Sequence, residues 1–69
     1  MTKDDFKKTI ARFIENTKMS ATALGLSAAN NPKFVFDVQN GRECREATQE
    51  RVLDFMRNYA KDKGIEWEY

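Results

Sequence analysis

Few side chains in this chain could do covalent chemistry. There is one cysteine, Cys44, and no histidine, so nucleophile–base pairs and the usual zinc-ligand sets are missing. Glu43 and Glu46 lie close to Cys44, and nothing in that surround lowers a thiol pKa by charge, so the cysteine reads as an inert small residue. Glu50 and Asp54 stand four apart in a helical pattern, but with no partner acid and no cleft they read as solvated. No glycine loop suited to cradling phosphate is visible. No catalytic residue, metal or cofactor is therefore expected. What remains is non-covalent chemistry: hydrogen bonding and charge pairing by the polar and basic residues between Ser20 and Arg45.

The totals point the same way. A chain of 69 residues is one domain at most, and a domain of that size hides only about 60% of the surface its unfolded chain exposes. A water-excluding catalytic cleft is hard to build from so little material, whereas a binding module needs one shaped face. Twelve Lys+Arg against eleven Asp+Glu leave a net charge of +1, which makes no global argument for a polyanionic partner. The distribution says slightly more: residues 1–42 carry seven basic and four acidic side chains, which is +3, and residues 43–69 carry five and seven, which is −2. That asymmetry would turn the N-terminal half toward a polyanion, and a mixed solvated surface explains it about as well. One cysteine forms no intramolecular disulfide, and no apolar run suits a signal peptide or a membrane helix. The cytoplasm is the expected compartment.

Four helices and a tail are predicted to position these residues. The first runs over about Lys3 to Thr17, capped by Thr2, with Asp4 and Asp5 in the favourable first turn and Phe6, Ile10, Phe13 and Ile14 on one core-facing stripe. The second, capped by Ser20, runs to Ala28 or Ala29 and is built of small residues. Gly25 inside it costs roughly 1 kcal/mol relative to alanine, which points to another backbone passing too close for a side chain. Asn30-Asn31-Pro32 encodes a stop and a start: Asn30 suits the left-handed end of a helix, Asn31 an N-cap and Pro32 a first helical position. The third helix then runs from Pro32 to about Asn40, with Val35 and Val38 on one face and Gly41 as its stop. After a polar connection, Thr48 is predicted to cap a fourth helix reaching about Lys63, with Val52, Phe55 or Leu53, Met56, Tyr59 and Ala60 as its apolar stripe and Gly64 as its exit. The ending IEWEY has strand periodicity, with Ile65, Trp67 and Tyr69 on one side. Five residues make no sheet alone, so the tail either packs back on the bundle or pairs with another chain. The predicted organisation is a domain over 1–64 and a tail over 65–69.

The stretch from Ser20 to Gly41, SATALGLSAANNPKFVFDVQNG, thus reads as short helix, tight turn, short helix, the format in which one helix is offered to the major groove of DNA. It resembles the helix-turn-helix of the lambda-repressor-like, Cro/C1-type (XRE) DNA-binding domains over all 22 positions without a gap. The positions that align with the family pattern are the cap Ser20, the pair Leu24-Gly25, the small turn residue Ala29, Asn31 opening the second helix, the aliphatics Val35 and Val38, and Gln39-Asn40-Gly41. With flanking helices the resemblance covers roughly residues 4 to 60. Departures fall at Gly25, where the family prefers alanine; at Ala29, where it prefers glycine; at Asn30, which replaces an aliphatic; and at Ala21, which replaces a glutamine that buttresses a base contact in some members. The resemblance implies an all-α, compact four- to five-helix bundle with a central helix-turn-helix and a short extended C-terminal tail. It implies a sequence-specific, double-stranded-DNA-binding transcriptional regulator, a repressor, acting as a homodimer on a two-fold operator, with no membrane or small-molecule partner evident.

Under that reading Lys33 contacts guanine or phosphate. Pro32 and Asn31 shape the helix entry, with Asn31 or the backbone N–H groups there on phosphate. Phe36 and Asp37 read base edges, phenylalanine against a thymine methyl and aspartate accepting from cytosine N4, although phosphate repels it. Asn40 closes the same helix, Arg42 and Arg45 grip the backbone just beyond it, and Ser20 with Thr22 grip it at the opposite edge. Lys33, Arg42 and Arg45 are equally what an ordinary solvated surface contains, Phe36 suits a core as well as a groove, and Phe34 reads as packing. Ile65, Trp67 and Tyr69 are the candidates for dimerisation. The competing reading is a protein-interaction module, an adaptor or antitoxin-like fragment, favoured by the near-zero net charge and by Phe34, Phe36 and Asp37 on one helix.

Overall fold

A computed structural model of the chain describes residues 1–67, and the tail residue Tyr69, a dimerisation candidate, lies outside them. The described residues form four helices: α1 (Lys3–Thr17), α2 (Ala21–Ala29), α3 (Phe34–Gln39) and α4 (Glu46–Lys63). Helices α2 and α3 pack on one another, and α1 and α4 enclose them.

Local chemistry sets most of the boundaries. Thr2 Oγ1 accepts from the Asp5 amide at 3.1 Å, and Ser20 Oγ accepts from the Ala23 amide at 3.1 Å, each satisfying a donor that the first helical turn leaves open. Ser20→Ala is expected to lower the unfolding free energy by about 1 kcal/mol, seen as a fall in Tm of about 4–8 °C for a domain this small. An unchanged Tm would show that the cap contributes nothing. At the other ends, Asn30 sits in the left-handed region at φ 55° and Gly64 at φ 69°. Gly64 completes a Schellman motif, in which the Gly64 amide donates to Lys61 O at 3.3 Å and the Ile65 amide to Ala60 O at 2.8 Å.

Two predicted starts are corrected. The third helix begins at Phe34 rather than Pro32: the Phe34 amide donates to Asn31 O at 3.1 Å, a three-residue closure that makes Pro32 and Lys33 a turn, and the first α-type bond runs from the Asp37 amide to Lys33 O. The fourth helix begins at Glu46 rather than after Thr48. Arg45, extended at φ −62° and ψ 151° and without a side-chain cap, precedes it, and the Gln49 amide donates to Arg45 O at 3.0 Å. Gln49 is buried, so packing of the first turn outweighs the capping preference of Thr48.

Phe6, Ile10, Phe13, Leu24, Val35, Val38, Val52 and Met56 are buried to 1% exposure or less. Phe6 meets Phe34 edge to face at 6.3 Å, and Phe13 meets Tyr59 likewise at 5.8 Å. Gly25 lies where α2 and α3 cross. A Cβ built on it would stand 2.5 Å from Asn31 O and 3.3 Å from Phe34 Cβ, which is the close backbone approach its presence inside a helix suggests. The predicted extension of the tail as a strand is not found among the described residues. Residues 65–67 are irregular, and Trp67 packs back on the bundle with its ring 5.1 Å from that of Phe13.

Candidate nucleic-acid interface

Helix α3 is short, so its two faces divide cleanly. Phe34, Val35 and Val38 point inward and are buried, which fixes the rotation of the helix about its axis. Six residues at about 1.5 Å each give roughly 9 Å of helix. The opposite side leaves Lys33 and Asn40 exposed, Asp37 half-buried and Phe36 46% exposed. Phe36 is therefore a surface residue and not part of the core.

The turn before α3 is tied down by its own polar groups. Asn31 Oδ1 accepts from the Lys33 amide at 3.0 Å, and the Asn31 amide donates to Gly25 O at 3.1 Å. With the Phe34 amide on Asn31 O, the N–H groups of residues 31, 33 and 34 are all committed inside the protein and Pro32 has none. The side-chain amide nitrogen of Asn31 and the ammonium of Lys33 are the side-chain donors at this end. At the start of α2, Ser20 and Thr22 are exposed, and the Ala21 and Thr22 amides have no intrahelical acceptor.

The end of α3 carries a feature not evident from the residue types. Gly41, at φ 101°, donates to Val38 O at 3.0 Å, and the Arg42 amide donates to Asp37 O at 3.0 Å, a second Schellman motif. That reversal carries the Arg42 side chain back over the last turn, where Nη1 donates to Asp37 Oδ2 at 3.3 Å. Both side chains remain about half exposed, so the pair adds at most about 1 kcal/mol to stability, but it neutralises the acidic group on the face of α3. The spacing of five, counted across a glycine that closes the helix, was the available signal.

Arg42 and Arg45 line one groove together with Glu43, Cys44 and Thr48. Burial pushes the Cys44 thiol above its ordinary pKa, with the Arg42 charge pulling the other way, so it stays a protonated, weakly nucleophilic thiol at neutral pH. Among the described residues, no group of three or more His, Cys, Asp or Glu could hold a metal ion, and no helix is long and apolar enough to cross a membrane. The sequence-derived candidates thus fall into an α3 group (Asn31, Pro32, Lys33, Phe36, Asp37, Asn40), the Arg42 and Arg45 groove that continues it, and the α2 start (Ser20, Thr22), which no hydrogen bond or ion pair among the described residues joins to the other two. Of the dimerisation candidates, Ile65 gives its amide to Ala60 O and Trp67 packs its ring on Phe13, so within the single chain the tail is closed on its own bundle.

Compared with protein-family models, curated proteins and solved structures, the chain finds no match.

Proposed function

We propose that this chain is a sequence-specific double-stranded-DNA-binding regulator of the lambda-repressor-like type, a cytoplasmic repressor that places α3 in the major groove and acts as a homodimer on a two-fold operator. The observation that carries the reading is the division of α3: three buried apolar residues hold it against α2 and the core, while Lys33, Phe36, Asp37 and Asn40 face outward with Arg42 and Arg45 immediately beyond. The Ser20–Gly41 resemblance supports it independently. In this reading Lys33 approaches guanine or phosphate at the start of α3, Arg42 and Arg45 reach the backbone at its end, and Ser20 with Thr22 meet it at the start of α2.

The test is duplex binding as a function of salt. Binding through phosphates should weaken steeply, each neutralised phosphate adding roughly 0.9 to the slope of log K against log salt. Replacing Lys33 and Arg42 together by alanine should abolish binding at physiological salt and leave Tm within a few degrees, because both side chains are exposed. Full retention would sink the assignment.

A second reading, a protein-docking module on the same scaffold, is favoured by the exposure of Phe36 at 46% and Leu26 at 52%. It predicts partner binding that is insensitive to salt and lost in Phe36→Ser.

A further inference from the structure

We propose that Asp37 and Arg42 work as one unit that reads a cytosine·guanine base pair at the C-terminal end of α3, with Asp37 the specificity-determining member. The inference rests on the DNA-binding reading above, adds to it a base preference, and moves Arg42 from the phosphate backbone to a base edge while Arg45 keeps the backbone role.

An exposed carboxylate on a groove-facing helix meets the negative potential of two phosphate backbones. Alone it would oppose binding. Here the Arg42 guanidinium lies 3.3 Å away, and the main-chain bond from the Arg42 amide to Asp37 O holds the same two residues together. The pair is neutral, and its geometry is set by the Gly41 reversal rather than by two flexible side chains meeting by chance. Among the described residues no other hydrogen bond reaches the Asp37 carboxylate, so Oδ1 keeps its acceptor capacity. Arg42 has five N–H donors in its fork and uses one nitrogen on Asp37.

These groups present an acceptor beside donors. An ionised carboxylate only accepts, so in the major groove it matches cytosine N4 or adenine N6 and is repelled by the bare acceptors of guanine and thymine. Arginine makes its best base contact with the O6 and N7 of guanine. Cytosine N4 and guanine O6 are neighbours on one base-pair edge, so a cytosine·guanine pair satisfies both side chains. An adenine·thymine pair offers the carboxylate a donor at N6 but gives the arginine no adjacent pair of acceptors, since adenine N7 and thymine O4 lie on opposite sides of that amino group. The same fixed pair penalises the reversed orientation, which sets guanine against the carboxylate.

The experiment selects bound duplexes from a random pool with the wild-type protein, Asp37→Ala, Asp37→Asn and Arg42→Ala, and then measures affinities for the selected site and its single-base variants. The wild type should show one cytosine·guanine position per half-site, preferred by about tenfold or more, within the range expected for a good bidentate contact. Asp37→Ala should bind the selected site within a few-fold of wild type, keep its salt slope, and lose the preference at that position alone. Asp37→Asn should move the preference toward adenine, the usual partner of an asparagine amide. Arg42→Ala should lose both the preference and affinity, leaving the carboxylate uncompensated. An Asp37→Ala protein with every base preference intact overturns the inference while leaving DNA binding standing. A wild-type protein that binds no duplex overturns both.

Discussion

Phe13→Ala is expected to remove about 3–5 kcal/mol of stability. Phe13 is fully buried and is the ring on which two parts of the chain converge, Tyr59 from α4 at 5.8 Å and Trp67 from the tail at 5.1 Å. Truncation removes the transfer free energy of the ring, leaves a cavity that three separate segments must collapse to fill, and deletes both edge-to-face contacts. A chain of this length has a total stability of about 3–10 kcal/mol at roughly 0.05–0.15 kcal/mol per residue. The loss is therefore a large fraction of the whole, and the variant should unfold at a much lower denaturant concentration than the wild type. Denaturant titration followed by helical circular dichroism measures this, and a loss below 1 kcal/mol would mean that the aromatic cluster is not the keystone the geometry makes it.

Gly25→Ala is the second large effect, and its sign is the informative part. In an isolated helix the change would stabilise by about 1 kcal/mol. Here the added methyl would stand 2.5 Å from Asn31 O. That carbonyl is backbone, and it cannot swing aside as a side chain would, because it accepts from the Phe34 amide at 3.1 Å while the Asn31 amide is held on Gly25 O. Relief requires α3 to move off α2, at or above the upper end of the roughly 1–3 kcal/mol that overpacking costs. The expected net result is a loss of about 2 kcal/mol, read as a Tm lower by about 10 °C on the scale for small domains. A raised Tm would show that the helices can separate without penalty. The displaced α3 should also weaken any duplex binding more than the stability loss alone accounts for, since the helix would enter a groove at the wrong height.

The elements most legible in the sequence were those whose ends are written in local chemistry. Thr2, Ser20, Asn30, Gly41 and Gly64 each mark a boundary through a side-chain acceptor or a positive φ, and these effects depend on little beyond the residue itself. Lys18 shows the converse: it occupies the left-handed region at φ 61°, a position no lysine advertises, because the turn into α2 imposes it. The starts of α3 and α4 differ from the expected ones by two and three residues, for related reasons. Asn31 does accept a capping-type bond, but the carbonyl of the same residue closes a tighter turn, and α4 begins where Gln49 can be buried rather than where a threonine stands. Of the candidate interface, the inward positions were readable from helical spacing, and the outward ones followed by subtraction. The ion pair of Asp37 with Arg42 is less direct, since residue types alone do not show it and the spacing of five has meaning only once the chain reversal at Gly41 is taken into account.

The docked tail bears on how two copies could meet. The Ile65 amide is already given to Ala60 O at 2.8 Å, and the indole of Trp67 lies on Phe13 with its buried Nε1 lacking an acceptor. An intermolecular strand built from this end would draw on the same main-chain donor and the same ring, so closing the tail on its own bundle and lending it to a neighbour compete. Trp67 is the only tryptophan in the chain, which makes that competition visible. If association uses the tail, its emission changes with protein concentration; if the dimer forms elsewhere, one spectrum serves from dilute monomer to bound pair.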